Sequence, residues 1–223
     1  MKELAFLAVL VGGVAFAAYR PGSPSEAIRR WNKALEPEPL SRVVVTTVPG
    51  RPDLVAAICD YQDEWWGFFG VYQRSWGFVR WQARLQFDIG EQSVHQVRAL
   101  ELPGFHGPIF EVFGMTHMGN GCLYLCELQG KDLVLLLQTK AVDSHGNFHV
   151  TQIQDGILIP EYRDVNGDGV ADLILTGTIE EWDNEEDILL ACSPCRQVFL
   201  WDGRRQKFVE DLTQRVAPDG YFR

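Results

Sequence analysis

The sequence lacks the residue patterns of the common catalytic and phosphate-binding sites. It contains no G-x-S-x-G nucleophile motif, no H-E-x-x-H zinc motif, no P-loop and no G-x-G-x-x-G run after a strand. Its five histidines are scattered along the chain. We therefore expect a protein that is not an enzyme.

Basic side chains are also scarce. The 223 residues include 20 Lys and Arg against 30 Asp and Glu, which gives a formal net charge of -10. Proteins that bind nucleic acid need clustered Lys and Arg to neutralise phosphates, and attachment to anionic lipid needs the same charge. The composition therefore excludes a nucleic-acid partner and an electrostatically held membrane protein.

Residues 4–18 contain no charged side chain; they follow Lys2 and end shortly before Arg20. An apolar run of this length is typical of an export signal, with Ala15 and Ala17 as its small-x-small cleavage site. An uncleaved anchor stays open, because roughly 17 residues is the lower limit for spanning a bilayer. A buried helix is the third alternative. The first two assign residues 1–20 to a signal peptide or membrane anchor and place the rest on the periplasmic or extracellular side.

Residues 21–41 are rich in proline and enclose one short run with helical spacing. Ser25 can cap this run, and Ile28, Trp31 and Leu35 fall on one helical face. We expect a connector with a short helix, which holds the remaining domain away from a membrane.

Residues 42–223 lack the long amphipathic pattern that a parallel α/β sheet would need. Short β-branched and apolar runs recur instead, separated by Gly, Asn and Asp turn signals. The sequence predicts an antiparallel all-β domain, either a meander of propeller-like blades or a β-sandwich. The expected strands are 43–47, 54–59, 67–73, 78–87, 94–102, 109–115, 122–128, 133–140, 148–153, 157–162, 171–178, 188–192 and 197–201.

One loop of this domain carries oxygen atoms at every second position. Asp164, Asn166 and Asp168 are followed by Asp172, and Val170 can add its backbone carbonyl. Calcium takes six to eight oxygen ligands of these types, and three crowded carboxylates would repel one another without a cation. We predict a bound calcium ion that braces the loop; a metal-free turn, which favours the same residues, is the alternative.

The loop and its flanks resemble the FG-GAP or VCBS-type repeat of β-propeller proteins. The spacing D-x-N-x-D-G-x-x-D lies between two apolar, strand-like runs, and residues 198–203 with 208–209 are similar to the closing hairpin of such repeats. The resemblance covers roughly residues 150–210. It implies that the side chains of Asp164, Asn166, Asp168 and Asp172 hold calcium, with a main-chain oxygen between the last two.

The chain has five cysteines, an odd number. Cys192 and Cys195 have the C-x-x-C spacing of redox and zinc sites. Zinc needs a second pair, and Cys122 and Cys126 lie four steps of about 3.3 Å apart on one strand, too far to share an ion. In an exported protein we expect a disulfide between Cys192 and Cys195, or from one of them to another cysteine.

Aromatic residues are dense between positions 65 and 81. The four candidates for partner binding are Trp65, Trp66, Phe68 and Phe69, which alternate between the two faces of an expected strand. Such rings contribute much of the contact energy at interfaces and also stack on sugars. Burial on both faces of the strand is the alternative.

Six carboxylates crowd residues 180–187. They suit a basic partner or further cations, although solvation alone explains most charge runs.

These observations favour a non-enzymatic, exported or membrane-anchored β domain with a structural calcium site. Its expected role is that of an accessory subunit in a membrane-associated protein assembly. Two alternatives use the Trp-rich stretch: a periplasmic hydrolase acting on glycans, with paired carboxylates about 5 to 10 Å apart, and a lectin-like carbohydrate binder.

Overall fold

The β-branched and apolar runs of the sequence form fifteen strands in the described part of the computed structural model. The described residues are 23–35, 39–61, 67–75, 78–85, 92–116, 120–145, 147–154, 157–183 and 185–218. All paired strands are antiparallel. The prediction of an antiparallel all-β domain is therefore confirmed.

The first four strands form one sheet, here called sheet I, in sequence order. They are β1 (Leu40–Thr47), β2 (Leu54–Tyr61), β3 (Gly67–Ser75) and β4 (Phe78–Leu85). A tight turn joins β1 to β2: Gly50 adopts φ +66°, and the amide of Arg51 donates to the carbonyl of Val48 at 3.1 Å.

The larger sheet, sheet II, begins with a second meander. Its first strands are β5 (Gln92–Leu100), β6 (Ile109–Thr116), β7 (Gly121–Gln129), β8 (Asp132–His145) and β9 (Phe148–Thr151). It continues through β13 (Asp172–Asp183), β14 (Ile188–Asp202) and β15 (Lys207–Glu210), with β12 (Glu161–Arg163) beside β13. The short pair β10 (Ile153–Gln154) and β11 (Ile157–Leu158) connects the two parts, and a 3-10 helix, Leu212–Gln214, follows β15.

Strand β13 pairs with different neighbours along its length. Its first residues pair with β12 and its later residues, from Thr178, pair with β9. Gly177 lies at the changeover, where a Cβ atom would meet the Cα of Gln152 at 2.7 Å. Only glycine allows this close approach of two backbones, and the hairpin β13–β14 extends beyond it.

The main core lies between the sheets. Ile58 of β2 and Phe69 of β3 pack with Phe110 of β6 and Tyr124 of β7, all at most 4% exposed. The rings of Phe69 and Phe110 are 5.2 Å apart. The opposite face of sheet II encloses a second core, in which residues of β6, β7 and β8 contact residues of β13, β14 and β15.

The helix α1 (Pro24–Leu35) covers the outer face of sheet I. Its residue Ile28 is fully buried in a cluster with Tyr61 and Phe68, so the helix belongs to the folded body and is not a free tether. The expected cap, Ser25, is wrong by two residues: the Ser23 hydroxyl accepts the amide of Glu26 at 3.3 Å. Pro24 occupies the first helical position, where its missing N–H costs nothing.

The expected N-terminal hydrophobic helix, residues 4–18, lies outside the described residues. Among the described helices, none has the length and apolar character that crossing a bilayer would require.

Candidate metal loop and exposed hairpin edge

Residues 164–171 connect β12 to β13 in a loop held by its own carboxylates. The two oxygens of Asp164 accept the amides of Gly167 at 2.6 Å and Gly169 at 2.8 Å. Both glycines have positive φ, +79° and +84°, which lets the chain turn around Asp164. These bonds, that from Gly169 first, lower the pKa of Asp164, so its carboxylate is charged at neutral pH.

Two further oxygen-bearing side chains lie next to Asp164 in the loop. The Asn166 amide nitrogen donates to Asp168 Oδ2 at 3.0 Å, and Asp168 Oδ1 accepts the amide of Val170 at 2.8 Å. Asn166 and Asp168 are exposed. Asp164, Asn166 and Asp168 therefore lie in one turn.

Asp172, the last expected ligand, is fully buried. Its Oδ2 accepts the amide of Val165 at 2.9 Å, and its Oδ1 accepts the amide of Trp201 at 2.8 Å. This carboxylate fastens the start of the loop to strand β14.

The loop also contacts the segment between β5 and β6. The amide of Ala171 donates to the carbonyl of Pro103 at 3.0 Å. The side chain of Val170 lies so close to Gly104, which has φ +88°, that a Cβ atom there would meet it at 2.8 Å. The end of the loop is therefore packed against residues 103–104.

The donor set of the loop fits a hard cation, because all five expected ligands supply oxygen and none supplies nitrogen or sulfur. Each carboxylate oxygen of Asp168 and Asp172 accepts one hydrogen bond and can accept a second interaction, whereas Asp164 Oδ1 already accepts the amides of Gly167 and Asp168. Within the described ranges, however, no three His, Cys, Asp or Glu side chains are grouped as a metal site would require. Calcium binding stays a prediction.

The cysteine prediction meets a geometric obstacle. Cys192 and Cys195 both lie in strand β14, where residues three apart point to opposite faces and are about 10 Å apart along the strand. A disulfide needs Cα atoms within about 7 Å. All five cysteines of the chain are in described ranges, and none of them forms a disulfide there; Cys192 is exposed and Cys195 is buried.

Of the four aromatic candidates for partner binding, the structure describes two. Phe68 and Phe69 are 0% exposed and face opposite sides of β3, Phe68 towards helix α1 and Phe69 towards sheet II. The two phenylalanines are thus core residues and do not face a partner. Trp65 and Trp66 lie outside the described residues.

The end of the β13–β14 hairpin presents an apolar strand edge that the sequence analysis treated only as a strand. Ile188, Leu189 and Leu190 are 48%, 44% and 57% exposed. Among the described residues, positions 188–195 of β14 pair with β13 alone; pairing on the other side starts at Arg196, which bridges Val216. The expected strands 188–192 and 197–201 are one strand because Pro194, which lacks an N–H, is tolerated at such an open edge.

The six carboxylates of the acidic run lie at the end of β13 and in the turn that leads to this edge. Within the described part of the chain, none of them forms an ion pair with Lys, Arg or His. Asp183 is used locally, accepting the amides of Glu185 and Glu186 at 2.9 and 3.2 Å. The three consecutive apolar residues after an acidic run were the signal that the sequence analysis passed over.

Comparison with known proteins finds no matching family model, no matching curated protein and no matching solved structure.

Proposed function

We propose that this chain is a non-enzymatic β domain that binds an extended, basic segment of a partner protein along the free edge of β14. The observation that carries the proposal is the exposed run Ile188-Leu189-Leu190, which pairs with β13 on one side and has no strand on its other side among the described residues. Open apolar strand edges are usually shortened, charged or covered in monomeric proteins, because they template pairing with another chain. A strand edge that stays open can instead bind an extended peptide, which adds to the sheet as a further strand.

The carboxylates near this edge favour a partner segment with positive charge. The carboxylates at Glu180, Glu181, Asp183, Glu185, Glu186 and Asp187 have no cationic partner among the described residues. Lys and Arg side chains on the incoming strand supply the missing charges and guide its approach. A second copy of this chain would bring six more carboxylates, so self-pairing is disfavoured.

The remaining parts of the proposal rest on the sequence. The apolar residues 4–18 place the domain at or beyond a membrane, as an accessory subunit of a membrane-associated assembly. Calcium bound by Asp164, Asn166, Asp168, the Val170 carbonyl and Asp172 has a bracing role. The loop side chains hold backbone amides of the loop and of β14, which supports that role.

Site-specific photo-crosslinking tests the proposal. Benzoylphenylalanine at position 190 should crosslink to one partner in cells that naturally make the protein, whereas the same group at Leu212, which is 65% exposed, should not. Mass spectrometry should map the crosslink to an extended segment containing Lys or Arg.

A synthetic peptide of that segment provides the second test. It should bind the purified chain more weakly as salt rises, because screening weakens the charge contacts. Leu190→Lys should weaken binding at least about tenfold, and Leu212→Lys should leave it unchanged. A crosslink to a second copy of this chain, or to a segment without basic residues, would contradict the proposal.

A further inference from the structure

Two adjoining cavities lie beside the metal loop, in a part of the molecule that the proposed function does not use. Their volumes are about 430 and 490 Å³, within the range of roughly 300 to 1,000 Å³ for small-molecule sites. They share Phe105, His106, Gly107 and Leu128. The larger cavity also reaches Glu127, Gln129, Trp201 and Gln206.

Aromatic rings form one wall of the larger cavity. The rings of Phe105 and Trp201 meet edge to face with centroids 4.8 Å apart, and both pack on the buried Phe208. Asp172 holds the backbone of Trp201. The indole is thus partly exposed yet fixed from behind, as a stacking platform requires.

A buried carboxylate lies under the same cavity. Glu127 is only 6% exposed, and its oxygens accept the amide of Gly107 at 3.2 Å and the Gln129 side-chain nitrogen at 2.6 Å. No Lys, Arg or His in the described residues forms an ion pair with it. A buried charge with two neutral donors retains capacity to accept more hydrogen bonds.

The polar groups around the cavity comprise both acceptors and donors, and His106 can act as either. The side-chain nitrogens of Gln129 and Gln206 each donate one hydrogen bond, to Glu127 and to the carbonyl of Gly203, so each amide keeps one hydrogen to donate and its oxygen to accept. The Trp201 indole N–H has no acceptor among the described residues, and it lies next to Gly203, 3.6 Å from where a Cβ would be. A ligand that satisfies this set must both donate and accept.

We propose that this cavity binds a neutral saccharide. Sugar hydroxyls donate to Glu127 and the two glutamine oxygens and accept from the indole N–H, while an apolar sugar face packs on the Trp201 ring. The carboxylate of Glu127 disfavours acidic sugars, as does that of Glu101 in the neighbouring cavity, where the guanidinium of Arg51 already pairs with Asp53. A polyamine matches the carboxylates but cannot accept the indole hydrogen bond. The site is independent of the β14 edge, so the two proposals fail separately.

Isothermal titration of the full chain tests the assignment. The probes are cellotetraose, chitotetraose, mannotetraose and maltotetraose as neutral saccharides, tetragalacturonate as an acidic one and spermidine as a polyamine. We expect saturable binding of at least one neutral probe and none of the other two. Trp201→Ala should weaken that binding at least about tenfold, and Glu127→Gln should weaken it as well.

The matched control is Trp182→Ala, because Trp182 is also partly exposed but lies on the projecting hairpin. If Trp201→Ala does not fold, Trp201→Phe keeps a ring and removes the N–H; its affinity should fall below that of the native chain. The proposal is overturned if no neutral probe binds, if tetragalacturonate or spermidine binds instead, or if the Trp201 and Glu127 variants bind as the native chain does.

Discussion

The five cysteine side chains differ in reactivity because each has a different position in its strand. Cys192 lies on the exposed end of β14, while Cys126 is fully buried in the core between the sheets. Burial raises the pKa of Cys126 to about 12 and also raises the pKa values of Cys122 and Cys195. Since the thiolate is the nucleophile, a raised pKa leaves these thiols protonated and unreactive near neutral pH.

We therefore predict that a brief pulse of iodoacetamide at pH 8 labels Cys192 first in the folded chain. Cys126 should react at least about 100-fold more slowly, because less than about a thousandth of it is thiolate at that pH. Peptide mass spectrometry of the labelled protein measures both rates, and unfolding in guanidinium should equalise all five. If Cys192 were labelled only after a reductant had been added, the result would instead support the disulfide that the sequence predicts.

At the scale of elements, a buried ion pair ties three strands together. Glu111 of β6 is fully buried and accepts both Arg98 Nε at 2.7 Å and Arg98 Nη2 at 2.5 Å from β5. The Tyr162 hydroxyl of β12 donates to the same carboxylate at 2.7 Å. Burial, followed by the Glu111 charge, raises the pKa of Tyr162 well above its ordinary value, so this hydroxyl remains a donor.

We predict that Glu111→Gln lowers the free energy of unfolding by about 3 kcal/mol. This value is at the low end of the destabilisation expected when one partner of a buried ion pair is removed. The low end applies because the Arg98 side chain is 35% exposed, so water can solvate its charge. Tyr162→Phe should cost about 2 kcal/mol, since a hydrogen bond to a charged carboxylate is lost. Urea denaturation measures both variants.

The exposed pair Arg51–Asp53 is the control. Asp53→Asn should change the free energy of unfolding by less than about 1 kcal/mol, and equal effects at both pairs would contradict the interpretation.

Short-range patterns predicted the individual elements well. Apolar alternation and Gly or Asn turns located most strands, and the spacing of Ile28 and Trp31 located the helix, because these signals lie within a few residues. The sequence did not predict that the expected strands 188–192 and 197–201 form the single strand β14. Proline usually interrupts a strand, and the sequence does not show that the strand edge at Pro194 is open.

Contacts between residues far apart in the chain could not be predicted from these short-range patterns. Nothing near Phe68 in the sequence says that α1 covers it, and nothing near Asp172 says that its carboxylate accepts the amide of Trp201, 29 residues away. The cavity beside Trp201 combines residues from three distant segments of the chain. Periodicity reports which face of a strand is apolar, but only tertiary packing decides what covers that face.

At the scale of the whole molecule, the candidate metal loop, residues 164–171, lies where several parts of the larger sheet meet. It follows β12, leads into β13, holds the backbone of β14 through Asp172 and touches residues 103–104 between β5 and β6. The chain also carries a net charge of -10. A cation that crosslinks the loop should therefore stabilise the whole fold and reduce repulsion among carboxylates.

If calcium binds, its addition at about 100 times its dissociation constant contributes about 2.7 kcal/mol of stability. For a chain of this size that raises the melting temperature by roughly 5 to 10 °C, as measured by calorimetry in calcium against a chelator. The double variant Asp164→Asn, Asp168→Asn should abolish the difference, because two charged ligands become neutral. Its matched control, Asp183→Asn with Asp187→Asn, removes the same charge from the acidic hairpin and should retain the full calcium effect. Identical melting of the native chain in calcium and in chelator would show that its own hydrogen bonds suffice to hold the loop.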